Sequence, residues 1–550
     1  MGSTGGTYSV PEEAWEVLQK GILENPFMTT LPDELKSISK HLKFEGSSKP
    51  SIPINWRFAE SITALKGLEA LMLNLLITRK YKTEPLDVTI NSDHASLFFM
   101  SPLLAQIVKD GVPTQMDPAS AETLKMFPNE DKHRANVSLH RQRATNIYET
   151  KDGRFYHVHG SMNPDPTLTA LGLPLDGESD DTQEIVVKRI QDAVSKLDAK
   201  SLDELMNGKN RQAGTIAHSS EEYFDSEHGK ANSNIDLFEI VKDSKSSQPA
   251  SWWKEDASNP ASPKRPLAGL KVVDLTRITD FSSLHQDLHW GKWNCHLHLK
   301  NGEDKEKLKQ LILEADVVVD GYRPGVMERL GFGREAIFEL VKDRGRGIVH
   351  VRENCYGWYG PWSHRSGWQQ ISDACCGVSL AYGQAMGNNE AVTPVFPNSD
   401  YCTGVCGSTA VLQALLERGE KGGSYGVDVA LNYYSQWLVR SCGQYGEDTW
   451  KDVWKRHGTP VFRHYEPMQV SLPAMAKLLY QYDKEILFQP GFFEARKVDN
   501  LGATFRVVKP IAQWKDGAVE LRYNVGTRGN GTDKSVWPKD LMVQVVTGEN

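Results

Sequence analysis

From residue 269 onward the chain alternates short apolar runs with amphipathic stretches, and this alternation restricts the fold more tightly than any other feature. "GLKVVDLT" (269–276) reads as a buried strand and "NCHLHLK" (294–300) as another. "EDKEKLKQLILEA" (303–315) reads as an amphipathic helix, "DVVVDGY" (316–322) as a strand, "REAIFELVKD" (334–343) as a helix and "RGIVHVREN" (346–354) as a strand. Strands that alternate with helices build a parallel, doubly wound, Rossmann-like sheet of the α/β class. Ligands of such sheets bind at the carboxyl ends of the strands.

The 550 residues exceed one ordinary core, so further units are expected. Residues 241–266, "VKDSKSSQPASWWKEDASNPASPKRP", are rich in Ser, Pro and Lys, lack periodicity and read as a linker. Residues 1–240 form a first half that holds a smaller α+β domain. Residues 267–445 form the sheet domain, and 446–550 a C-terminal segment that packs on the sheet domains. An internal repeat relates the halves. "WRFAESITALKGLEALMLNLLITRKYKTEPLDVTI", from Trp56, matches "PNSDYCTGVCGSTAVLQALLERGEKGGSYGVDVAL", from Pro397, as a polar start, an apolar helix, a polar turn and a strand. Asp400 then falls opposite Ala59 to Ser61, where Glu60 is the single carboxylate.

Hydrophobic residues make up 39% and charged residues 24%, ordinary for a soluble globular protein. A net charge of −8 argues against nucleic acid or an anionic membrane surface as main partner. No window reads as a bilayer span of roughly 20 apolar residues, and the N-terminus has no secretory pattern. The seven cysteines, all between Cys295 and Cys442, suit a reduced, cytoplasmic protein.

Local chemistry centres on Asp400. Asn398, Ser399 and Asp400 precede an apolar helix, and each suits an N-cap. A carboxylate there also sits beside exposed N–H donors that could stabilise charge on an acylated intermediate. Small neighbours such as Gly404 and Gly407 would let a bulky substrate approach. Arg323 and Arg329 follow a strand of the parallel sheet, and guanidinium groups suit phosphates. His285, His289, His296 and His298 lack zinc-site spacing, so no metal is expected. "GEKGGSYG" lacks the Lys-Ser/Thr of a P-loop, and no GxGxxG follows the first strand, which argues against ATP and dinucleotides.

Four segments, in order across about 266 to 440, resemble family III CoA-transferases, the CaiB/BaiF family. They are "PLAGLKVVDLTR", "LEADVVVDGYRPGVMERLGFGREAI", "YGWYGPWSHRSGWQQISDACCG" and "PNSDYCTGVCGSTAVLQALLER…VDVAL". The extra first half resembles the long fungal members. The resemblance implies that Asp400 attacks an acyl-CoA thioester and forms an aspartyl anhydride, then an aspartyl-CoA thioester. A carboxylic acid acceptor finally collects the CoA. Tyr322 and Arg329 match positions that contact CoA, and Tyr356 and Gly357 match a loop near the thioester. Coenzyme A is thus a substrate rather than a resident cofactor, and a homodimer is compatible with the resemblance.

The reading is an acyl-CoA:carboxylate CoA-transferase of secondary or fatty-acid metabolism. One alternative is a 2-methylacyl-CoA racemase, disfavoured because Trp368 and Gln369 stand where that activity places an acid–base pair. The other is a catalytically impaired CoA-binding paralogue. That alternative draws on "ITDFSSLHQDLHWGKW" (278–293), which lacks a helical apolar stripe and is too short for the helix and strand that family members place there.

Overall fold

The computed structural model describes residues 8–129, 131–255, 260–275 and 282–548. In the first half, β1 (Leu42–Glu45) and β2 (Val88–Asn91) pair in parallel, joined through the 24-residue helix Phe58–Tyr81. A hairpin of β3 (Gln106–Lys109) and β4 (Val112–Gln115) follows, turned at Asp110-Gly111 with φ of 50° and 80°. Two positive φ values define the tight turn that Asp-Gly favours. β5 (Asn146–Glu149), β6 (Phe155–Val158) and β7 (Gly214–Ile216) form an antiparallel sheet. Helix Gln183–Val194 covers it, burying Val186, Ile190 and Val194 with Tyr148 and Tyr156.

The main sheet contains β8 (Glu239–Lys242), β9 (Val272–Leu275), β10 (Val317–Asp320), β11 (Val349–Asn354) and β12 (Tyr425–Ala430), in the order β8-β12-β11-β10-β9. β9 to β12 are parallel, and β8 adds antiparallel to β12. Successive residues face opposite sides of a strand. Val317, Val349 and Val427 therefore enter the large core with helix Asn398–Lys421, whereas Val318 and Ile348 meet Leu308, Ile312, Ile337 and Phe338 on the other face. β13 (Phe493–Val498), β14 (Ala503–Val508) and β15 (Gln513–Trp514) return to the first half: β14 pairs with β3 and β15 with β2.

Helices Phe58–Tyr81 and Asn398–Lys421 carry the internal repeat and pack side by side. Ser408 hydrogen-bonds Glu69, and Arg79 pairs with Glu420 at 3.3 Å. The partners stand 339 and 341 residues apart. So constant an offset means that the helices run parallel and in register, which sets Asp400 level with Glu60.

Several expectations change. Residues 241–266 are not a free linker: β8 spans residue 241, the Trp253 indole donates to the Ala268 carbonyl at 2.9 Å, and Gln248 donates to the Val341 carbonyl at 3.2 Å. Segment 446–550 supplies strands to first-half sheets instead of only packing on them. Helix Phe58–Tyr81 is long and apolar enough to cross a bilayer by length and composition, contrary to the sequence reading. Its apolar surface is spent within the protein core.

"NCHLHLK" is not a strand. The stretch 278–293 begins outside the described residues and then forms one short helix, Ser282–Leu288. Beyond it the C-terminal segment takes over the hydrogen bonds: Gly291 N–H donates to the Val525 carbonyl at 3.0 Å, and the Trp293 indole to the Val543 carbonyl at 2.9 Å. Among the described residues β9 pairs with β10 alone, and Val272, in register with the core residue Val317, is 43% exposed. The resemblance places a CoA-contacting turn after this strand. Calorimetry is expected to show weak CoA binding; tight binding would mean that another segment supplies those contacts.

Candidate active site

Helix Asn398–Lys421 leads into β12, so its first turn lies at the carboxyl edge of the sheet, where the loops after β10 and β11 also emerge. Pro397 occupies the N-cap position and makes no side-chain cap bond. Asp400 is the third helical residue, exposed to solvent, and among the described residues its carboxylate has no hydrogen bond or ion pair. The capping role that the local sequence favoured is therefore not the one Asp400 plays.

Although exposed at the surface, the Asp400 carboxyl is desolvated by the protein around it. That desolvation, unrelieved by any donor or cation, pushes its carboxyl up to about 7. Half-buried Glu353, near the carboxyl end of β11, is also pushed up to about 7, by enclosure first and by the charge of Asp400 second. Asp373, on helix Gln369–Cys375, is raised by burial; the Gln369 amide that donates to it opposes the shift, and the charge of Asp400 adds to it. The charge of Asp400 thus reaches both neighbouring carboxyls.

Glu60, at the equivalent level of the paired helix, is closed off. Tyr8 donates to one of its oxygens at 2.6 Å and Tyr445 to the other at 3.0 Å. Arg57 lies nearby and is itself fixed by Glu13 at 2.6 Å and the Cys442 carbonyl at 2.9 Å. Burial raises the Glu60 carboxyl. This arrangement is a knot that joins the two halves, with no room for a reactant.

The loop after β10 holds Tyr322, Arg323 and Arg329. Tyr322 packs partly on the second core, and its N–H donates to Asp320 at 2.9 Å. Arg323 is exposed and donates to the Arg211 carbonyl of the first half at 3.4 Å. Arg329 is exposed on the short helix Val326–Leu330. After β11, Tyr356 is fully buried and donates to the Gly214 carbonyl at 3.0 Å. Its side chain anchors the loop from inside and presents no surface to a ligand, which corrects the sequence assignment. Gly357 has φ of 98°, and a Cβ there would lie 2.8 Å from Asn232 and Tyr433. Trp368 stacks on His159 with centroids 5.4 Å apart and donates to Ser161 at 3.1 Å. The first half therefore contributes to this edge. Glu353 and Asp373 were missed by sequence reasoning, although an acid at the penultimate position of a buried parallel strand is a usable signal.

The profile of CoA-transferase family III matches residues 270–459. The acetyl-coenzyme A transferase nodX of Hypoxylon pulicicidum is 58% identical over 567 positions, covering 98% of this chain and 96% of that protein. An acyl-CoA transferase of Gibberella moniliformis is 33% identical, covering 94% and 93%. A CaiB/BaiF family protein of known structure from Brucella suis is 20% identical, with a TM-score of 0.28 over 32% of this chain and 55% of that one. The chain belongs to CoA-transferase family III and is a CoA-transferase. The 567 aligned positions against 550 residues leave at least 17 positions of the Hypoxylon relative without a counterpart here.

Two outcomes follow from these environments. Glu60→Gln is expected to leave turnover within a few-fold, and complete loss in a folded variant would reveal a second working site. For Asp400, enclosure raises the folded-state value above the unfolded carboxyl, about 4. Its contribution to stability is present below that value and is lost as pH rises through about 7. The melting temperature of Asp400→Asn minus that of wild type should therefore grow between pH 5 and pH 8. A constant difference would place the carboxyl at its ordinary value.

Proposed function

We propose that Asp400 is the covalent nucleophile of an acyl-CoA:carboxylate CoA-transferase. The observation that carries this reading is its free, solvent-facing carboxylate at the carboxyl edge of the sheet, where it makes no structural bond. A carboxylate oxygen attacks the thioester carbon, the C–S bond breaks, and CoA leaves as the thiolate, giving an aspartyl anhydride. The thiolate attacks the aspartyl carbonyl and expels the donor acid as its carboxylate, giving an aspartyl-CoA thioester. The acceptor carboxylate repeats the sequence in reverse, and Asp400 is regenerated. No net proton is consumed, and one difficult acyl transfer becomes several easier ones.

The names of the two long fungal relatives support an acyl-CoA donor, and that of the Hypoxylon protein supports acetyl-CoA. Arg323 and Arg329 are exposed beside the strand end and suit the CoA phosphates. Tyr322 and the backbone at Gly357 would line the thioester arm. With Gln369 bound to Asp373 and Trp368 stacked on His159, neither supplies a free acid–base partner for racemisation.

Asp400→Asn is expected to fold normally and to lose transfer, and in wild type the peptide containing Asp400 should carry the CoA adduct by mass spectrometry. Transfer by Asp400→Asn at the wild-type rate would overturn the assignment. Asp400→Ala should cost no stability at pH 8; a loss of about 1 kcal/mol with activity kept would restore the capping role.

A further inference from the structure

We propose that Gly404 determines which acyl groups the site accepts, because the space it leaves open one turn from Asp400 seats the group being transferred. The inference rests on the reading of Asp400 as nucleophile and adds a specificity-determining residue to it.

Gly404 lies in the interior of helix Asn398–Lys421, where glycine is a poor helix former. Its conformation does not demand glycine, since its φ is not among the positive values. Packing does not demand it either. A Cβ on Gly404 would meet nothing within 4 Å, and the residue is exposed. The other glycines of this helix differ. A Cβ on Gly419 would strike the Trp252 ring at 2.6 Å, and Gly407 is buried with Val429 at 3.9 Å.

Position 404 follows Asp400 by four residues, so both lie on one face of the helix. One helical turn rises about 5.4 Å. An acyl group bonded to the Asp400 oxygen and extending along the helix therefore passes over residue 404. A side chain there would occupy the same space. The paired helix supplies an internal comparison. In the same register it carries Ala64, fully buried, one turn beyond the closed carboxylate Glu60. The half with the open carboxylate lacks the β-carbon, and the half with the closed one has it.

The substrates implied are carboxylic acids bulkier than acetate, which take CoA from a small donor. The test uses the full chain with acetyl-CoA and the acceptors propionate, isobutyrate and phenylacetate. Gly404→Ala is expected to lower kcat/KM for phenylacetate relative to propionate at least ten-fold, with a melting temperature equal to or above that of wild type. Gly404→Leu should extend the discrimination to isobutyrate. An unchanged ratio in both variants overturns the proposal. So does an equal fall for all acids, which would mark the position as one that seats CoA. Binding of S-alkyl-CoA thioethers of increasing length gives a readout without turnover, and Gly404→Leu should weaken the longer ones selectively. A length dependence that ignores the substitution overturns the proposal. Should wild type show no adduct on the Asp400 peptide while the selective weakening persists, the nucleophile assignment fails and the size role of Gly404 stands.

Discussion

The parallel, in-register contact between helices Phe58–Tyr81 and Asn398–Lys421 is the constraint on which the rest of the molecule depends. It fixes Glu60 and Asp400 at one level and points both helices' first turns to the same end. Near that end the Tyr434 hydroxyl bonds both Ser61, at 2.9 Å, and Asn398, so one side chain locks the two repeats together. The strands that follow the helices, β2 and β12, then nucleate separate sheets, and β15 and β8 extend each of them antiparallel. The chain contains two versions of one helix–strand unit, built around a shared apolar core.

The same position meets two electrostatic fates. A carboxyl group taken out of water must be hydrogen-bonded or protonated, because leaving it bare costs several kcal/mol. Glu60 takes the first solution, with two tyrosine hydroxyls and a nearby guanidinium. Asp400 has no such partner among the described residues; it keeps contact with solvent, yet the surrounding protein desolvates it and raises its carboxyl to about 7. Its anion is thus already partly desolvated in the free protein. On the proposal that Asp400 is the nucleophile, further loss of water on substrate binding would strengthen its drive to attack the thioester carbon, the cost being met by contacts made elsewhere along the CoA. The charge of Asp400 in turn raises the carboxyls of Glu353 and Asp373, since a like charge nearby disfavours their anions.

Periodicity made β9 to β12, their helices and the repeat legible, because runs such as "DVVVDGY" cannot be solvated and "EDKEKLKQLILEA" has one apolar face. Asp400 was singled out as a candidate by its motif. Period states which face a residue occupies and not which strand lies beside it. β8 was therefore lost inside a Ser- and Pro-rich stretch, and the returns of β14 to β3 and β15 to β2, across some 400 residues, left no local trace. "HLHLK" alternates like a strand and among the described residues has no strand to pair with, so it stays irregular. Tyr356 matched a motif, yet its burial depends on Gly214, far away in sequence. Asp373 left no such local signal, and Glu353 only its place near the end of a strand: their proximity to Asp400 is supplied by the sheet order and helix packing.

The sheet order also separates the chemistry from the weakness at the first crossover. Asp400, on the helix that leads into β12, and Glu353, on β11, stand apart from the uncovered strand β9, with β10 between. At that far edge the connection is held by loop contacts, anchored by the fully buried pair Arg528–Asp533 at 3.0 Å, whose carboxylate also accepts the Asn294 N–H at 2.7 Å. Removing one partner of such a pair leaves an unpaired buried charge, so the pair ties the C-terminal segment firmly to this edge. If, as the resemblance implies, an element that contacts CoA is missing at β9, the contacts withdrawn are ones that ground state and transition state share. Uniform binding of that kind affects KM and leaves the bond-making step alone. The proposed nucleophile Asp400 and its carboxyl neighbours remain assembled two strands away.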